Sequence, residues 1–285
     1  MSKIIVENVS YVYSEKTPCE AVALNNVSIS IDKNRITGII GHTGSGKSTL
    51  VQMFNGLIKP TKGKILLDGV DIWEKPKEIG KIRFRVGLVM QYPEYQLFEE
   101  TVKADIAFGP RNMGLDEAEI NKRILEVVDF VGLDPAILEK SPFDLSGGQK
   151  RRVAIAGVMA MKPDVLVLDE PAAGLDPIGR NSIFGGIRRY AEATGASVVI
   201  VSHSMEDMAR YCDNIIVMSD SKVAMTGNRN EIFSRAEELE AIGLDVPEIT
   251  KLMMMLRASG INVPEGIYTV EDAEKCLMDI YGGGV

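Results

Sequence analysis

The stretch "ITGIIGHTGSGKST", residues 36–49, decides the fold of this chain, because a short apolar run passes through a glycine-rich turn into a helical segment. The turn contains the pattern G-x-x-x-x-G-K-[ST] after a strand and before a helix, which is the context that gives the pattern its meaning. Its glycines allow successive backbone N–H groups to face a phosphate, and the N-terminus of the next helix favours an anion. The stretch therefore predicts a phosphate-binding loop in an α/β sheet.

We expect this loop to bind the phosphates of a nucleotide. Lys47 can reach the β- and γ-phosphates, and the hydroxyl of Ser48 can ligate Mg²⁺. The alternative is an ordinary glycine turn before an amphipathic helix. His42 lies at a variable position of the loop and has no expected chemical role of its own. The nucleotide-binding residues predicted from the loop are Gly41, His42, Thr43, Gly44, Ser45, Gly46, Lys47, Ser48 and Thr49.

A second apolar run, "VLVLDE" at 165–170, ends in two carboxylates. Ligands of open α/β sheets bind at the carboxyl ends of the strands, so we expect Asp169 to support Mg²⁺, usually through its waters. Glu170, one residue further along an extended chain, points elsewhere and is the candidate general base for hydrolysis. The alternative is a solvated acidic pair at the end of a strand.

A third apolar run, "SVVIVSH" at 197–203, ends in His203. Runs without polar interruption indicate strands buried on both faces, as in a parallel sheet, and a helix near 178–193 completes a βαβ rhythm. At the edge of this strand His203 could contact the γ-phosphate. A hydrogen-bonded structural histidine is the alternative.

The stretch "DLSGGQKRRVAIAG" at 144–157 marks a helix start that is unusual in two ways. Ser146 and Gln149 form a capping box, yet two glycines occupy the first turn and three cations follow them. Glycine in a helix costs about 1 kcal/mol relative to alanine, and cations oppose the dipole at a helix N-terminus. Two explanations are open for Lys150, Arg151 and Arg152: the side chains face solvent, or they pair with acidic neighbours.

Composition limits the class of protein. The formal net charge is −8, which argues against a nucleic-acid partner because such binding needs clustered Lys and Arg. Three widely spaced cysteines suggest neither a zinc site nor a disulfide framework. The longest apolar run, at 153–161, is far shorter than the roughly 20 residues of a transmembrane helix. We therefore expect a soluble cytoplasmic protein.

Six sequence motifs occur in the order found in ATP-binding cassette (ABC) ATPases, a family that the chain resembles over about residues 3–235. They are the loop at 41–49, Gln91, "LSGGQ" at 145–149, "VLVLDE" at 165–170, "GLDP" at 174–177 and His203. The resemblance implies ATP and Mg²⁺ as ligands. It also implies a RecA-like P-loop NTPase core with an antiparallel β-subdomain, and a helical signature subdomain at about 92–160.

The resemblance also implies roles for individual residues. Tyr13 matches the aromatic residue that stacks on adenine. One alternative is that the neighbouring Tyr11 has this role, and another is that Tyr13 is a strand aromatic packed in the core. Gln91 matches the glutamine that senses Mg²⁺ and the γ-phosphate and couples the site to the membrane partner. The signature residues match those that hold the γ-phosphate of the opposite subunit's ATP, and Asp176 matches an aspartate at the dimer seam. The signature residues concerned are Ser146, Gly147, Gly148 and Gln149.

The segment "QYPEYQLFEETVKADIAFGPRNMGL" at 91–115 resembles the ATPases of energy-coupling factor (ECF) importers, in particular the second of their two paralogous ATPases. Those importers bring vitamins or transition-metal ions into prokaryotic cells. The resemblance implies a paralogous or identical ATPase partner, a transmembrane coupling protein, a substrate-binding membrane subunit and a place on the cytoplasmic face of the membrane. The segment's aromatics either pack the helical subdomain or line a groove for the coupling protein; they are Tyr92, Tyr95, Phe98 and Phe108.

Residues 236–285 are expected to form a short helical C-terminal extension of the ATPase domain at 1–235. Ile249, Leu252, Met253 and Leu256 have the spacing of one helix face. The methionines at 253–255 are either a core stripe or a dimer contact. Two other functions remain open: the ATPase of another ABC exporter or importer, and a non-transport ABC protein that acts on ribosomes or DNA.

Overall fold

The computed structural model describes residues 2–281, so Met1 and the last four residues of the expected extension lie outside it. The strands are β1 (Ser2–Tyr13), β2 (Ala21–Asp32), β3 (Ile36–Ile40), β4 (Lys62–Leu67), β5 (Val70–Asp71), β6 (Val86–Val89), β7 (Val165–Asp169), β8 (Ser197–Val201), β9 (Asn214–Ser219) and β10 (Lys222–Asn228). The helices are α1 (Lys47–Phe54), α2 (Ile79–Arg85), α3 (Val102–Asn112), α4 (Glu117–Phe130), α5 (Gly147–Met159), α6 (Pro177–Thr194), α7 (Met205–Tyr211), α8 (Arg229–Phe233), α9 (Ala236–Ala241), α10 (Glu248–Ala258) and α11 (Val270–Tyr281).

A six-stranded sheet in the order β10-β9-β3-β8-β7-β6 forms the centre of the fold. Its strands from β9 to β6 are parallel, and only β10 runs antiparallel to its neighbour. The three apolar runs predicted as buried strands are β3, β7 and β8, so that prediction is confirmed. Because they are parallel neighbours, their carboxyl ends lie at one edge of the sheet.

Two hydrophobic clusters explain why these strands are mostly apolar. Val165 and Val167 of β7 belong to the cluster on one face of the sheet, whereas Leu166 and Leu168 belong to the cluster on the other face. Successive side chains of a strand point to opposite faces, so a sheet covered on both sides favours apolar residues on both faces. The helices α3 to α6 contribute to the cluster that contains Leu166 and Leu168.

The other face of the sheet is covered by α1 and by a four-stranded antiparallel sheet in the order β2-β1-β4-β5. Leu50 and Phe54 of α1 are fully buried in the same cluster as Ile4 and Ile31. The helix that follows the phosphate-binding loop is therefore packed between the two sheets, and this packing fixes the position of the loop. The RecA-like core with an antiparallel β-subdomain, predicted from the resemblance, is confirmed.

The signature helix α5 begins as the sequence predicts. The Ser146 Oγ accepts a hydrogen bond from the Gln149 backbone N–H at 3.3 Å, and the Gln149 Oε1 accepts one from the Ser146 N–H at 3.0 Å. The predicted capping box is thus confirmed. It fixes the position of the first turn although that turn contains two glycines.

The segment after residue 235 packs in two parts. Its first part, with Leu239 and Leu244, joins the main core, whereas α10 and α11 share a small separate cluster around Met253. The predicted helix is α10, but Leu252 is 45% exposed and does not share its buried face; the alternative of a methionine core stripe is wrong, because Met254 and Met255 are 41% and 66% exposed. Successive residues of a helix lie about 100° apart, so three consecutive methionines cannot share one buried face.

Among residues 2–281, no helix is both long enough and apolar enough to cross a membrane.

Candidate nucleotide site

The phosphate-binding loop surrounds one end of a cleft of about 420 Å³. Gly46, just before α1, has φ of 98°, and a Cβ at this position would lie 2.3 Å from the carbonyl oxygen of Ala23. Only glycine fits such a backbone at such a distance. Six predicted loop residues line the cleft, whereas Gly41, His42 and Ser45 do not. The lining loop residues are Thr43, Gly44, Gly46, Lys47, Ser48 and Thr49.

Lys47 is held by the loop itself. Its Nζ donates hydrogen bonds to the carbonyl oxygens of Gly41 at 2.7 Å and His42 at 2.8 Å. Burial lowers the pKa of Lys47, and the carboxylates of Glu170 and Asp169 oppose that shift. The ammonium is therefore placed at the cleft before any ligand enters. His42 contributes this carbonyl, and its ring Nδ1 lies 3.0 Å from the Thr43 carbonyl oxygen.

Three oxygen-bearing side chains, those of Ser48, Gln91 and Asp169, line the cleft beside Lys47. Asp169 is 6% exposed. Burial raises the pKa of Asp169, while a hydrogen bond with the Ser48 hydroxyl lowers it in part. Hydroxyl, amide and carboxylate oxygens are the donors that Mg²⁺ prefers, together with waters and substrate phosphates. The donor set therefore fits Mg²⁺.

Glu170 follows β7, but its backbone is not extended as the sequence suggested. Its φ is 53°, in the left-handed region, and its N–H donates to the carbonyl oxygen of Val201 at 2.9 Å. This turn, rather than strand alternation, directs the side chain. A non-glycine residue in this region is uncommon and is often found at functional sites. The expectation of an extended chain is thus wrong, although Glu170 does line the cleft.

The Glu170 carboxylate is buried without being fully paired. Its Oε1 has no hydrogen-bond partner among the residues that the structure describes. Burial, and then the negative charge of Asp169, raise the pKa of Glu170 to about 7. A carboxylate with a pKa near neutrality can both exist as a base and accept a proton efficiently.

His203 lies at the same edge, with Nε2 3.4 Å from the Oε1 of Glu170. Burial, followed by the charge of Lys47, lowers the pKa of His203, which favours the neutral imidazole. Its side chain is 54% exposed, and it lines the cleft. A neutral imidazole can donate one hydrogen bond to an anionic ligand and accept another.

Of the two tyrosines proposed for adenine, Tyr13 lines the cleft and Tyr11 packs against the core. The Tyr13 hydroxyl lies 3.2 Å from the Thr49 Oγ1, and its ring meets Tyr11 edge-on, with centroids 4.8 Å apart. The arrangement leaves Tyr13 40% exposed. Sequence reasoning missed Val22 and Ala23, which line the cleft beside Tyr13 because β2 pairs with β1.

The structure does not bring the signature residues to this cleft; none of Ser146, Gly147, Gly148 and Gln149 lines it. A Cβ at Gly147 would meet nothing within 4 Å, and one at Gly148 only Leu175 at 3.5 Å. Nothing among residues 2–281 therefore requires glycine at these positions. The cleft and the signature residues therefore do not meet within one molecule.

Asp176 also lies outside the cleft, and it has a local role that sequence reasoning missed. Its Oδ1 accepts a hydrogen bond from the Gly179 N–H at 2.6 Å, which caps the N-terminus of α6. The signal was available, because Asp followed by Pro is a common start of a helix.

The parallel sheet, the phosphate-binding loop and the separate signature helix together define an ATP-binding cassette. Comparison with known proteins agrees: the family model described as "ABC transporter" matches residues 24–173. The chain is 53% identical over 275 residues to the energy-coupling factor transporter ATP-binding protein EcfA2 of Caldanaerobacter subterraneus, covering 96% of both chains.

Two solved structures support the same assignment. CbiO1 of Clostridium perfringens, described as part of the ABC transporter complex CbiONQ, is 40% identical with a TM-score of 0.76, over 89% of this chain and 99% of that one. An ATP-binding cassette solved as a dimer in a post-hydrolysis state with ADP and Pi is 29% identical with a TM-score of 0.72, over 79% and 98%. The chain belongs to the ABC transporter family, within the ATP-binding proteins of energy-coupling factor transporters. It is an ATPase subunit.

Proposed function

We propose that this chain hydrolyses ATP between its own cleft and the signature of a second cassette, and thereby drives an ECF-type importer of vitamins or transition-metal ions. The observation that carries the proposal is the outward-facing signature. No contact inside the described chain requires glycine at 147 or 148, so we assign these glycines to close approach of a phosphate bound elsewhere. Residues from 236 onward are, in this proposal, an extension of the ATPase domain at 1–235.

Within the cleft, we assign a role in hydrolysis to each of four side chains. Lys47 binds the β- and γ-phosphates, and Tyr13 stacks on adenine. Glu170, whose pKa is raised to about 7, takes a proton from the attacking water, while His203 contacts the γ-phosphate. A general base must lie within hydrogen-bond reach of the proton that it removes, and Glu170 lines the cleft in which the attacking water would bind.

Mg²⁺ would be held by Ser48, Gln91 and Asp169, the hard-oxygen donors of the cleft. When bound, it neutralises charge on the phosphates. Gln91 has a second role, because it stands at the start of the segment that carries the exposed aromatic residues. A change in ligation at Gln91 therefore reaches that surface along the chain.

The experiment that tests the base is Glu170→Gln, which preserves the shape of the side chain and removes its basicity. We expect ATP binding within about twofold of wild type and a turnover number lower by about 10² to 10⁴. The assay measures both in the assembled transporter, purified through a tag on this chain. Turnover at the wild-type rate would reject Glu170 as the base.

We assign the segment after Gln91 to the membrane partner. Its aromatics are exposed by 49% at Tyr92, 84% at Tyr95, 59% at Phe98 and 44% at Phe108, so the alternative that they are packed inside the helical subdomain is wrong. Exposed aromatic groups of this kind mark interfaces. The proposed partners are a transmembrane coupling protein, a substrate-binding membrane subunit, and a paralogous or identical ATPase, at the cytoplasmic face of the membrane.

A pull-down tests this surface. Tyr95→Ser with Phe98→Ser should lose the membrane subunits while keeping ATP binding, because neither residue lines the cleft. Val70→Ser, at a hydrophobic side chain that is 57% exposed on the antiparallel sheet, is the control. Retention of the membrane subunits by the double variant would contradict the assignment.

A further inference from the structure

Arg151, the middle residue of the cationic run after the signature, is buried rather than solvated. It is 4% exposed. Its Nε donates to the Oε2 of Glu94 at 3.1 Å, its Nη2 donates to the Oε1 at 2.8 Å, and its Nη1 donates to the backbone carbonyl of Ala173. One guanidinium therefore joins three segments that are far apart in the sequence.

Each of these segments carries a part of the site. Arg151 lies in the second turn of α5, directly after the signature. Glu94 is in a 3₁₀ turn, Pro93–Gln96, that begins two residues after Gln91. Ala173 follows Glu170, and its N–H donates to the Glu170 carbonyl oxygen at 3.3 Å. The guanidinium thus connects, by direct hydrogen bonds, the segments that follow Gln91 and Glu170 to the helix that follows the signature.

The ion pair between Arg151 and Glu94 has a fixed geometry. Burial alone would raise the pKa of Glu94, but the hydrogen bonds and charge of Arg151, together with a backbone hydrogen bond, lower the pKa below its usual value. Bidentate Arg–carboxylate pairs fix orientation as well as distance, and a lysine cannot reproduce the planar fork. Of the neighbouring cations, Arg152 donates to a carbonyl oxygen, that of Gly132 at 3.3 Å.

We propose that Arg151 is a positioning residue that holds the Gln91 segment and the Glu170 turn in register with the signature helix. It thereby links the chain's own ATP site to the signature that serves the partner's ATP. This inference rests on the proposed function, in which the two half-sites act on different nucleotides. Arg151 contacts the segments next to both half-sites, so a change at the cleft can be transmitted to the signature through it.

The chain offers a matched control in Arg123. Its side chain is 14% exposed, its Nε pairs with Glu119 at 2.7 Å, and its Nη1 donates to the carbonyls of Ala160 and Met161, both at 3.2 Å. The chemistry is that of Arg151, in the same subdomain. Its partners, however, are not adjacent to Gln91, Glu170 or the signature. Arg123→Lys therefore measures the structural cost of losing such a fork.

The first test compares Arg151→Lys with Arg123→Lys. Both keep the charge, so both chains should fold. We expect Arg151→Lys to bind a fluorescent ATP analogue within about twofold of wild type, as full-length chain, and to lose about tenfold in turnover in the assembled transporter. Arg123→Lys should lose less than about twofold in either quantity. Equal turnover in the two variants would overturn the proposal.

The second test is a double-mutant cycle with Gln91→Ala. If Arg151 acts partly through Gln91, its replacement should matter less once Gln91 is gone, with the loss in turnover falling from about tenfold to about threefold. A purely structural effect would multiply independently, as expected for Arg123→Lys, and such additivity would also overturn the proposal. Failure of the proposed function looks different, because Glu170→Gln would then retain wild-type turnover whatever Arg151 does.

Discussion

The imidazole Nε2 of His203 lies 3.4 Å from the Oε1 of Glu170, between the ends of two neighbouring parallel strands. The two side chains reach the same point by different routes, since Glu170 turns there through a left-handed backbone conformation whereas His203 follows β8 by two residues. The pair leaves one buried carboxylate oxygen without a hydrogen bond among the described residues. This relationship has consequences for stability as well as for chemistry.

Glu170→Gln should stabilise the metal-free and nucleotide-free chain, and more at pH 8 than at pH 5. The pKa of Glu170 is raised to about 7, so its charged form is disfavoured in the folded state. Free energy of unfolding is therefore lost as the pH rises from the unfolded-state pKa to about 7, and Gln avoids that loss. The linkage relation gives a difference of about 2 kcal/mol between the two pH values. Denaturant unfolding in EDTA measures it, and a pH-independent difference would contradict the assigned shift.

Gly147→Ala should separate folding from catalysis. The new Cβ has nothing within 4 Å, so α5 gains the better helix propensity of alanine, about 1 kcal/mol at most. Hydrolysis should nevertheless fall by about tenfold or more if a phosphate must approach this backbone closely. Gly185→Ala is the matched control, because its Cβ also meets nothing within 4 Å but lies in α6. Unaltered ATPase activity in Gly147→Ala would reject the signature half-site.

Tyr13→Leu and Tyr11→Leu should have opposite profiles. Tyr13 lines the cleft, so its loss should weaken ATP binding by about five- to tenfold with little change in melting temperature, since stacking contributes about 1 kcal/mol. Tyr11 packs against the core, and its replacement should lower the melting temperature while the affinity stays the same. Titration with a fluorescent ATP analogue and thermal unfolding distinguish the two. The reverse pattern would transfer the adenine contact to Tyr11.

Asp176→Asn should keep the stability that Asp176→Ala loses. The Asp176 carboxylate caps α6 through the Gly179 N–H, and asparagine is an equally good cap. We therefore expect alanine to lower the free energy of unfolding by about 1 kcal/mol and asparagine to leave it unchanged. Any loss of turnover in Asp176→Asn then reports on the dimer seam rather than on the helix. A similar loss of stability in both variants would show that the charge, not the cap, stabilises this end of α6.

Local patterns predicted the parts of the molecule that depend on near neighbours. The phosphate-binding loop, the buried strands and the capping box at Ser146 are each specified within a few residues, and the structure has them where expected. The pairing of Arg151 with Glu94 joins positions 57 residues apart, so the cationic run alone could not identify its partner. The turn at Glu170 depends on a hydrogen bond to Val201 in the neighbouring strand. The exposed side of α10 depends on which elements pack against it, which periodicity does not specify.

In the proposed arrangement the cleft and the signature of one chain belong to different sites, so defects in the two halves should be complementary in a dimer of two copies. Consider two copies of this chain in one dimer, one with an inactive Lys47 and the other with an inactive Gly147. The phosphate-binding loop of the first faces the signature of the second, so both defects fall into one site. The other site is assembled from the two intact halves. Two alleles that are each inactive alone should therefore restore a measurable phenotype when expressed together, and a genetic cross would reveal the head-to-tail arrangement without any purified protein.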